Sequence, residues 1–346
     1  MIQDNETEVL EFILMGFSVH PRLELLLFVI FTFIYMATLF GNFGIIALAT
    51  ADPHLQTPMY FFLRHLAFLN LCYTTAVVPK MLSNLLSVKK TISYLLCMVQ
   101  TYISAFMGAA ECIILAVMAL DRYVAVCHPL RYTIIMNHHV CVRIAAASWT
   151  LSFLVSVVPL RLSLPPLCGP YLINHIFCEV PVLLHMICSD TSLNELLMLL
   201  SGISTLMLPF ILILVSYGHI ISAVIRIRTA GGRRKAFSTC SSHLTVVTIY
   251  YGTGMFMYMR PKSSYSPETD KFISVFYAVI NPMLNPIIYS FRNNEVKESL
   301  MRVLNKYKAN SHWHLPPVQE AYSTSGRFLA PQETSNDKRM DTTNIQ

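Results

Sequence analysis

The chain has 346 residues, of which 54% are hydrophobic and only 13% are charged. A soluble domain carries about 25% charged residues, so this composition indicates a membrane protein and argues against a soluble one. The net charge of +6 falls in short segments between apolar runs, a distribution that favours membrane topology over a nucleic-acid partner.

Residues 1–24 precede the first long apolar run and contain four carboxylate side chains before residue 12. The single N-glycosylation acceptor motif of the chain, which begins at Asn5, lies in the same segment. Glycosylation marks a segment exposed outside the cell. We therefore predict that residues 1–24 are extracellular and that Asn5 carries a glycan.

Seven apolar runs are long enough to cross a membrane as helices, which takes about 20 mostly apolar residues. They are Leu25–Ala51, a run from Pro58 to about Leu82, Thr91–Leu120, Ile144–Leu160, Leu196–Ile225, Ala236–Met259 and Phe272–Phe291. Unpaired backbone groups are too costly in hydrocarbon, so each run must be helical. The predicted fold is an all-α membrane protein with seven transmembrane helices over residues 25–291, kinked at Pro209, Pro282 and Pro286.

Lysine and arginine concentrate on one side of this predicted bundle, which places the N-terminus outside and the C-terminus inside. Residues 292–308 combine apolar positions at helical spacing with a basic face, which predicts a short amphipathic helix on the inner membrane surface. Residues 309–346 are rich in Ser, Thr, Pro and Gln and are predicted to be a disordered cytoplasmic tail.

Four of the nine cysteines, namely Cys97, Cys168, Cys178 and Cys188, fall on the predicted outer side. That compartment is oxidising, so these four can form disulfides, and the other five are expected to be free thiols. Four cysteines allow three pairings, and their spacing does not choose among them.

Several spans carry residues, most of them small or hydroxyl-bearing, at a helical spacing that can place them on one inward face. These residues are Ser104, Ala105, Gly108, Ala109, Cys112, Ser201, Thr205, Tyr251, Met255, Tyr258, Val275 and Ala278. The residues alone leave two alternatives open, a ligand cavity or ordinary close packing of membrane helices. The outer half of the third span has no acid and Lys271 lies at the outer edge of the seventh, so a ligand should be neutral and mostly apolar.

Other membrane functions fit the sequence poorly. A transporter or proton pump needs several ionisable residues along its spans, and Glu111 is the single carboxyl deep in one. An intramembrane hydrolase needs a nucleophile with a paired base, or clustered metal ligands. His65, His219 and His243 are instead interpreted as interfacial histidines, so we expect neither an enzyme nor a cofactor.

The stretch MALDRYVAVCHPLRY, Met118 to Tyr132, resembles the third-helix end of olfactory receptors, a branch of the rhodopsin-like G-protein-coupled receptors. Further stretches resemble the same family, in its tetrapod-type class, over roughly residues 5–308. They are EFILMGF, TPMYFFL, PKML, SYGHI, KAFSTCSSHL and PMLNPIIYSFRN.

The resemblance implies that Asp121 holds Arg122 in the resting bundle. When the sixth helix moves outward, Arg122 turns to the C-terminal helix of a G protein. The residues implied in coupling are Asp121, Arg122, Tyr123, Tyr217, Asn285, Pro286 and Tyr289. The sixth helix begins Arg233-Arg234-Lys235, so no acid locks Arg122 there, and this basic trio faces the G protein or anionic lipid.

The resemblance also favours the cavity alternative and a small volatile ligand. It implies coupling to a stimulatory G protein of the olfactory type and a rise in cyclic AMP. Arrestin and a surface-expression escort are implied as further partners, and the plasma membrane of olfactory cilia is the implied location. It favours the disulfides Cys97–Cys178 and Cys168–Cys188. The alternative function is the same fold sensing a lipid or metabolite outside the olfactory epithelium.

Glu111 occupies a position that resembles half of a sodium-binding pair in the family. The second acid is replaced here by Asn70. Two alternatives follow, a sodium ion bound by Glu111 with Asn70, or a protonated Glu111 that is hydrogen-bonded and binds no ion.

Overall fold

The structure is a computed structural model that describes residues 11–17, 20–163, 171–184, 186, 192–226, 229–258, 266–291 and 294–310. Residues Met1–Val303 form one compact unit, and residues from Leu304 onward form a second. Only the end of the last helix is described in that second unit. The predicted tail, residues 309–346, therefore lies almost wholly outside the described residues.

Seven spans follow one another in the predicted order. The first to fourth are Pro21–Ala51, Pro58–Leu86, Tyr94–Cys127 and His138–Ser163. The fifth runs through Ser192–Gly202, Ile203–Met207 and Leu208–Arg226, the sixth is Ala230–Tyr258, and the seventh runs through Pro267–Val275, Phe276–Ile280 and Asn281–Phe291. Within the described ranges, six of these spans are long and apolar enough to cross a membrane. The predicted all-α membrane bundle is confirmed.

The first span begins at Pro21, earlier than the uncharged run that starts at Leu25. Proline suits the first turn of a helix because the N–H it lacks would have no intrahelical partner there. The ring of His20 accepts a hydrogen bond from the backbone N–H of Arg22 at 3.4 Å. The helix therefore includes residues 21–24, which the sequence analysis assigned to the N-terminal segment.

Two of the prolines expected to kink the bundle follow π-helical segments. Ile203–Met207 precedes Pro209 and Phe276–Ile280 precedes Pro282. A proline ring clashes with the carbonyl four residues earlier, and a wider turn relieves that clash. Pro286 instead lies inside the regular helix Asn281–Phe291.

A three-stranded sheet lies at the end of the bundle that carries the Cys97–Cys178 disulfide, called the disulfide end below. The central strand β1 (Glu11–Leu14) pairs antiparallel with β2 (Thr91–Ser93) and parallel with β3 (Leu172–Ile173). Successive side chains of a strand point to opposite faces, so Phe12 and Leu14 are buried while Glu11 and Ile13 are exposed. The sequence analysis did not expect these strands.

The helix Asn294–Asn310 follows the seventh span, where an amphipathic helix was predicted over residues 292–308. Val296 is buried, whereas Leu300 and Met301 are exposed. The guanidinium of Arg302 lies 2.9 Å from Oδ2 of Asp52, which caps the end of the first span. This ion pair ties the first half of the helix to the loop after the first span.

Gly41 lies where the first and seventh spans meet, and it leaves no room for a side chain. A Cβ at this position would lie 2.8 Å from Cγ of Pro286, whereas a Cβ at Gly44 would have no neighbour within 4 Å. We expect Gly41→Ala to destabilise the protein by about 1–3 kcal/mol through overpacking. Thermal unfolding of the detergent-purified protein measures this, with Gly44→Ala as the matched control. Equal melting temperatures for the two variants would contradict the close approach.

Candidate functional site

The third span is central to the site because it packs against the second, fourth, fifth and sixth spans. Near its end, Nη2 of Arg122 lies 2.8 Å from Oδ2 of Asp121, and Nε lies 3.2 Å from the same oxygen. The hydroxyl of Tyr132, on the short helix Tyr132–Ile135, donates to the other carboxylate oxygen at 2.8 Å. Both oxygens of the fully buried Asp121 are therefore engaged.

His243, on the sixth span, contacts Tyr217, which is one of the predicted coupling residues. Its Nε2 is 3.1 Å from the carbonyl oxygen of Leu115, and its Nδ1 is 2.8 Å from the hydroxyl of Tyr217. A carbonyl only accepts, so Nε2 carries the hydrogen and Nδ1 accepts from Tyr217. The interpretation of His243 as interfacial is wrong, because its side chain is fully buried and joins the sixth span to the third and fifth.

The other predicted coupling residues do not all gather at Arg122. Tyr217 and Tyr289 are buried, and the hydroxyl of Tyr289 has no partner among the described residues. The hydroxyl of Tyr123 lies 3.3 Å from Nε2 of His128, near the surface. Pro286 contacts the first span, as described for Gly41.

Asn285, the remaining coupling residue, belongs to a buried polar chain that crosses four spans. Its Nδ2 lies 3.3 Å from Glu111 and 3.3 Å from Oδ1 of Asn70. Asn70 donates to Asn42 at 3.2 Å, and Asn281 donates to the same oxygen of Glu111 at 3.4 Å. The seventh span is thus linked to the third, second and first through side-chain amides.

This arrangement bears on the two alternatives for Glu111. Sodium requires oxygen ligands, but the groups facing Oε1 of Glu111 are the amide nitrogens of Asn281 and Asn285. The orientation of Asn285 is set by its neighbours, because turning its amide over would bring oxygen against two acceptor oxygens. The geometry favours the hydrogen-bonded Glu111.

Toward the disulfide end, the sixth span meets the face of the third span predicted to line a cavity. Tyr251 donates to the carbonyl of Cys112 at 2.9 Å, and Tyr250 donates to the carbonyl of Gly108 at 2.8 Å. The sequence analysis missed Tyr250 because neighbouring residues on a helix point in different directions, and only Tyr251 fitted the chosen spacing. The two adjacent tyrosines, Tyr250 and Tyr251, are the sequence signal that could have identified Tyr250.

Ser104 lies one turn further along the same face, and its side chain is buried. Its hydroxyl has no hydrogen-bond partner within the described part of the chain. Ala109 and Cys112 are buried, while Ala105 and Gly108 are half-buried. A buried hydroxyl without a partner loses its water and gains nothing in return, so this face offers an unused polar contact.

The fifth span presents its predicted hydroxyls differently. Ser201 donates to the carbonyl of Val155 on the fourth span at 2.6 Å, and Thr205 donates to the carbonyl of Ser201 at 2.8 Å. Both hydroxyl protons are therefore used by the backbone, and only acceptor lone pairs remain for a ligand.

The sixth and seventh spans supply the rest of the predicted cavity residues. Val275 and Ala278 are buried in one apolar cluster with Phe177 of the loop before the fifth span. Met255 is half-buried and packs against a different cluster, which contains Tyr251. The side chain of Tyr258 lies outside the described residues.

The loop before the fifth span is covalently attached to the third span. Cys97 and Cys178 form a disulfide, which confirms the pairing implied by the resemblance. The backbone N–H of Cys178 also donates to Oε1 of Gln100 at 2.7 Å, and Nε2 of Gln100 donates to the carbonyl of Ala76 at 2.8 Å. Cys168 and Cys188 lie outside the described residues.

A buried polar cluster also holds this loop against the seventh span. Nδ1 of His175 lies 3.1 Å from the carbonyl oxygen of Phe177, and Nε2 lies 3.1 Å from Oγ of Ser274 and 3.2 Å from Oε1 of Glu179. The hydroxyl of Tyr277 contacts Oε2 of Glu179 and lies 3.1 Å from Oγ of Ser274. The cluster therefore joins two loop side chains to two side chains of the seventh span.

Both loop side chains are driven toward their neutral forms. Burial lowers the pKa of His175 from 6.5 to about 4. The hydrogen bond to Phe177 opposes this decrease in pKa, and the positive charge of Lys271 adds to it. Burial raises the pKa of Glu179 from 4.5 to about 8, against the hydrogen bond from Tyr277 and together with a smaller effect of the negative charge of Asp270. Between these values the cluster contains a neutral imidazole and a protonated carboxyl.

This cluster predicts a dependence of stability on pH. The contribution of Glu179 is fully present below pH 4.5 and is lost as the pH rises to about 8, because its pKa is raised in the folded state. The contribution of His175, whose pKa is lowered, is present above pH 6.5 and is lost as the pH falls to about 4. Relative to Glu179→Gln, the wild type should lose stability from pH 5 to 8, by at most about 1.4 kcal/mol per pH unit.

Melting temperatures of wild type and variant, measured in detergent across this pH range, test the prediction. His175→Gln serves as the companion variant, for which the difference should change in the opposite direction, toward acid pH. Differences that stay constant with pH for both variants would show that neither group titrates within the folded protein.

Comparison with known proteins gives consistent matches. A family model described as "Olfactory receptor" matches residues 31–307. The human protein Olfactory receptor 2G3 is 50% identical over 302 residues, which cover 87% of this chain and 98% of that protein. Human Olfactory receptor 2C3 is 51% identical over 294 residues, covering 85% and 92%. Human Olfactory receptor 2A12 is 48% identical over 309 residues, covering 89% and 100%.

Proposed function

This chain belongs to the olfactory receptor family, and we propose that it binds a small, neutral, mostly apolar odorant inside its helical bundle and activates a stimulatory G protein of the olfactory type, raising cyclic AMP. Membership makes the protein an odorant receptor among the G-protein-coupled receptors, with a ligand and a G protein as partners. It is a multi-pass protein of the plasma membrane and not an enzyme.

The unpartnered hydroxyl of Ser104 is the observation that carries the ligand proposal. It lies on the face of the third span that Tyr250 and Tyr251 contact from the sixth span. A small ligand in this region would satisfy the hydroxyl with one hydrogen bond and cover apolar surface with the rest of its body. Acceptor lone pairs of Ser201 and Thr205 provide further contacts across the bundle.

The charges around this region support a neutral ligand. Residues 94–110 of the third span contain no charged side chain. Lys271 is buried near the start of the seventh span, where its ammonium pairs with Glu268 at 3.0 Å. A charged ligand would lose its hydration without gaining an ionic partner, at a large cost in free energy.

Signal transfer is proposed to run from this cavity to Arg122 through the sixth span. Tyr250 and Tyr251 fasten that span to the third beside the ligand region, and His243 fastens it again near Arg122. A ligand that displaces the tyrosines would loosen the outer contacts and allow the sixth span to swing outward. Arg122 would then leave Asp121 and meet the G protein.

The orientation of the receptor follows from the same proposal. The disulfide end faces outward, and the Arg122 end faces the cytosol. The glycan on Asn5 and the disulfide Cys168–Cys188, both on the outer side, are still predictions. The contact of the basic trio that starts at Arg233 with the G protein or anionic lipid remains a prediction. Arrestin and the escort also remain predicted partners. A lipid or metabolite as ligand is the alternative that a ligand screen must include.

Ser104→Ala is expected to raise the ligand concentration for half-maximal response by about tenfold, because one hydrogen bond of about 1–1.5 kcal/mol is lost. Basal cyclic AMP should not change. Ligands come from a screen of volatile and lipid-like compounds against cells that express the receptor with a cyclic-AMP reporter. Ser152→Ala is the matched control, because the hydroxyl of Ser152 is buried but already donates to the carbonyl of Ser148 at 2.6 Å.

Two outcomes would contradict the proposal. Unchanged dose–response curves for Ser104→Ala would move the ligand away from the third span. Activation without a rise in cyclic AMP would replace the stimulatory G protein by another class. A screen in which only lipids activate would favour the alternative ligand class.

A further inference from the structure

The last helix, Asn294–Asn310, is attached to the bundle at two points along its first half. Val296 is buried in the same apolar cluster as Tyr289, near the end of the seventh span. Six residues later, about 9 Å along the helix axis, the guanidinium of Arg302 contacts Oδ2 of Asp52, with Nε at 3.1 Å and Nη2 at 2.9 Å. Two attachment points fix both the position of this half of the helix and the direction of its axis.

Asp52 is held in place independently of Arg302. The residue is only 4% exposed, and its backbone N–H donates to the carbonyl of Leu48 in the last turn of the first span at 3.0 Å. Its Oδ1 accepts a hydrogen bond from the backbone N–H of His54 at 3.0 Å and lies 2.9 Å from Nδ1 of the same residue. Because the loop occupies Oδ1, Oδ2 is the oxygen left for the arginine. Asp52 therefore presents a fixed, buried negative charge to the last helix.

Arg302 has a second acidic neighbour, which is a weak substitute for Asp52. Oε2 of Glu298 lies 3.7 Å from Nη1 of Arg302, one turn earlier on the same helix. The side chain of Glu298 is 69% exposed, and exposed ion pairs of this kind contribute little to stability. A pair within one helix also does not attach that helix to the bundle. The contact with Asp52 is therefore the one that holds this part of the helix in place.

The attachment lies at the end of the bundle that carries Arg122. Val124 of the third span, Leu55 of the loop after the first span and Val296 of the last helix belong to one apolar cluster. Only residues 292–293 separate the seventh span from the last helix. The loop after the first span and the first half of the last helix therefore lie at the end where the G protein is proposed to bind.

We propose that Arg302 is a positioning residue for G-protein coupling, which through its ion pair with Asp52 holds the first half of the last helix in the orientation that the G protein meets. A helix attached only at Val296 would pivot about that point, and the G protein would have to order it on binding, at a cost in affinity. With both contacts in place, the helix is ordered before the G protein arrives. This inference rests on the proposed G-protein coupling, whereas the effect of the ion pair on the helix does not.

Hydrogen–deuterium exchange of the purified full-length receptor in detergent tests the attachment without a ligand or a G protein. Backbone amides of residues 294–303 in Arg302→Gln should exchange about tenfold faster than in the wild type, because one of the two contacts that hold them is lost. Asp52→Asn should have a similar effect. The two changes combined should increase exchange no further, because they remove the same contact. Glu298→Gln, which removes the exposed acidic neighbour, is the matched control and should exchange like the wild type.

The cyclic-AMP response per receptor at the cell surface tests the consequence for coupling. Cells are stimulated with the most potent compound from the ligand screen. Arg302→Gln should lower the maximal response about threefold, because the G protein has to order the helix on binding. Arg302→Lys keeps the positive charge and should recover most of the response, and Glu298→Gln should respond like the wild type. A residue that only stabilised the fold would lower surface expression and leave the response per surface receptor unchanged.

Three outcomes would overturn the proposal. Unchanged exchange in Arg302→Gln would show that the ion pair does not hold the helix, and this variant is expected to fold because the arginine side chain is 42% exposed. Additive effects of Arg302→Gln and Asp52→Asn would show that the two residues act through separate contacts. Faster exchange with an unchanged response would end the role in coupling. If no compound raises cyclic AMP in the wild type, the proposed stimulatory coupling fails, and exchange still decides whether Arg302 positions the helix.

Discussion

Arg122→Ala should abolish the cyclic-AMP response to any activating odorant while the receptor still reaches the cell surface. The guanidinium is the charged group at the end of the third span that is free to change partners, because Asp121 keeps the hydrogen bond from Tyr132 when Arg122 leaves. Without the guanidinium, the inactive contact is lost and so is the proposed contact with the G protein. Surface labelling and a cyclic-AMP reporter in the same cells measure the two effects.

The controls for this prediction separate coupling from folding. Arg131→Ala removes a nearby basic residue on the short turn Pro129–Arg131, and it should respond normally. Removing one partner of a buried ion pair destabilises a protein by about 3–5 kcal/mol, because the other charge is left unpaired. The second variant therefore combines Asp121→Asn with Arg122→Ala, so that no unpaired charge remains. A normal response with Arg122 replaced would end the proposal that this residue meets the G protein.

Cys97→Ala should have the second largest effect, a loss of both surface expression and ligand response. Removal of a native disulfide costs about 2–5 kcal/mol, and this one closes 81 residues of chain. It also anchors the loop in which His175 and Glu179 contact the seventh span. Surface expression by flow cytometry and cyclic-AMP responses measure the result.

Two variants test whether the bond itself is responsible. Cys97→Ala combined with Cys178→Ala should behave like the single variant, because either change removes the same disulfide. Cys127→Ala is the control, since Cys127 is a free cysteine near the Arg122 end. A single variant that responds like the wild type would show that the remaining contacts of the loop are sufficient.

The sequence-based analysis predicted the membrane bundle well because the hydrocarbon requirement acts on each span separately. A run of about 20 apolar residues is sufficient to identify a helix, and no contact with other spans is needed. The ion pair of Asp121 and Arg122 could likewise be predicted from the sequence, because the two residues are adjacent in the chain. The Cys97–Cys178 disulfide followed from family resemblance, since spacing alone left three pairings open.

The parts that could not be predicted depend on residues that are distant in the chain. β1 pairs with strands about 80 and 160 residues further along, and its four-residue stretch has no strong strand pattern by itself. His243 was assigned to the interface because its partners, Leu115 and Tyr217, are not visible from its own helix. The hydrogen bond that Ser201 donates to the fourth span was not foreseen either, because its acceptor, the carbonyl of Val155, lies on another helix.

The sequence by itself determined that the chain is a seven-helix membrane protein, because length and hydropathy are properties of single segments, and its local motifs indicated the receptor family by resemblance. Only the tertiary structure decided which polar groups are satisfied and which are left over. Ser104 is an ordinary polar residue in the sequence, and it becomes a candidate contact for the ligand because packing buries its hydroxyl without a partner among the described residues. Burial and hydrogen bonding depend on several helices at once, so no single stretch of sequence can specify them.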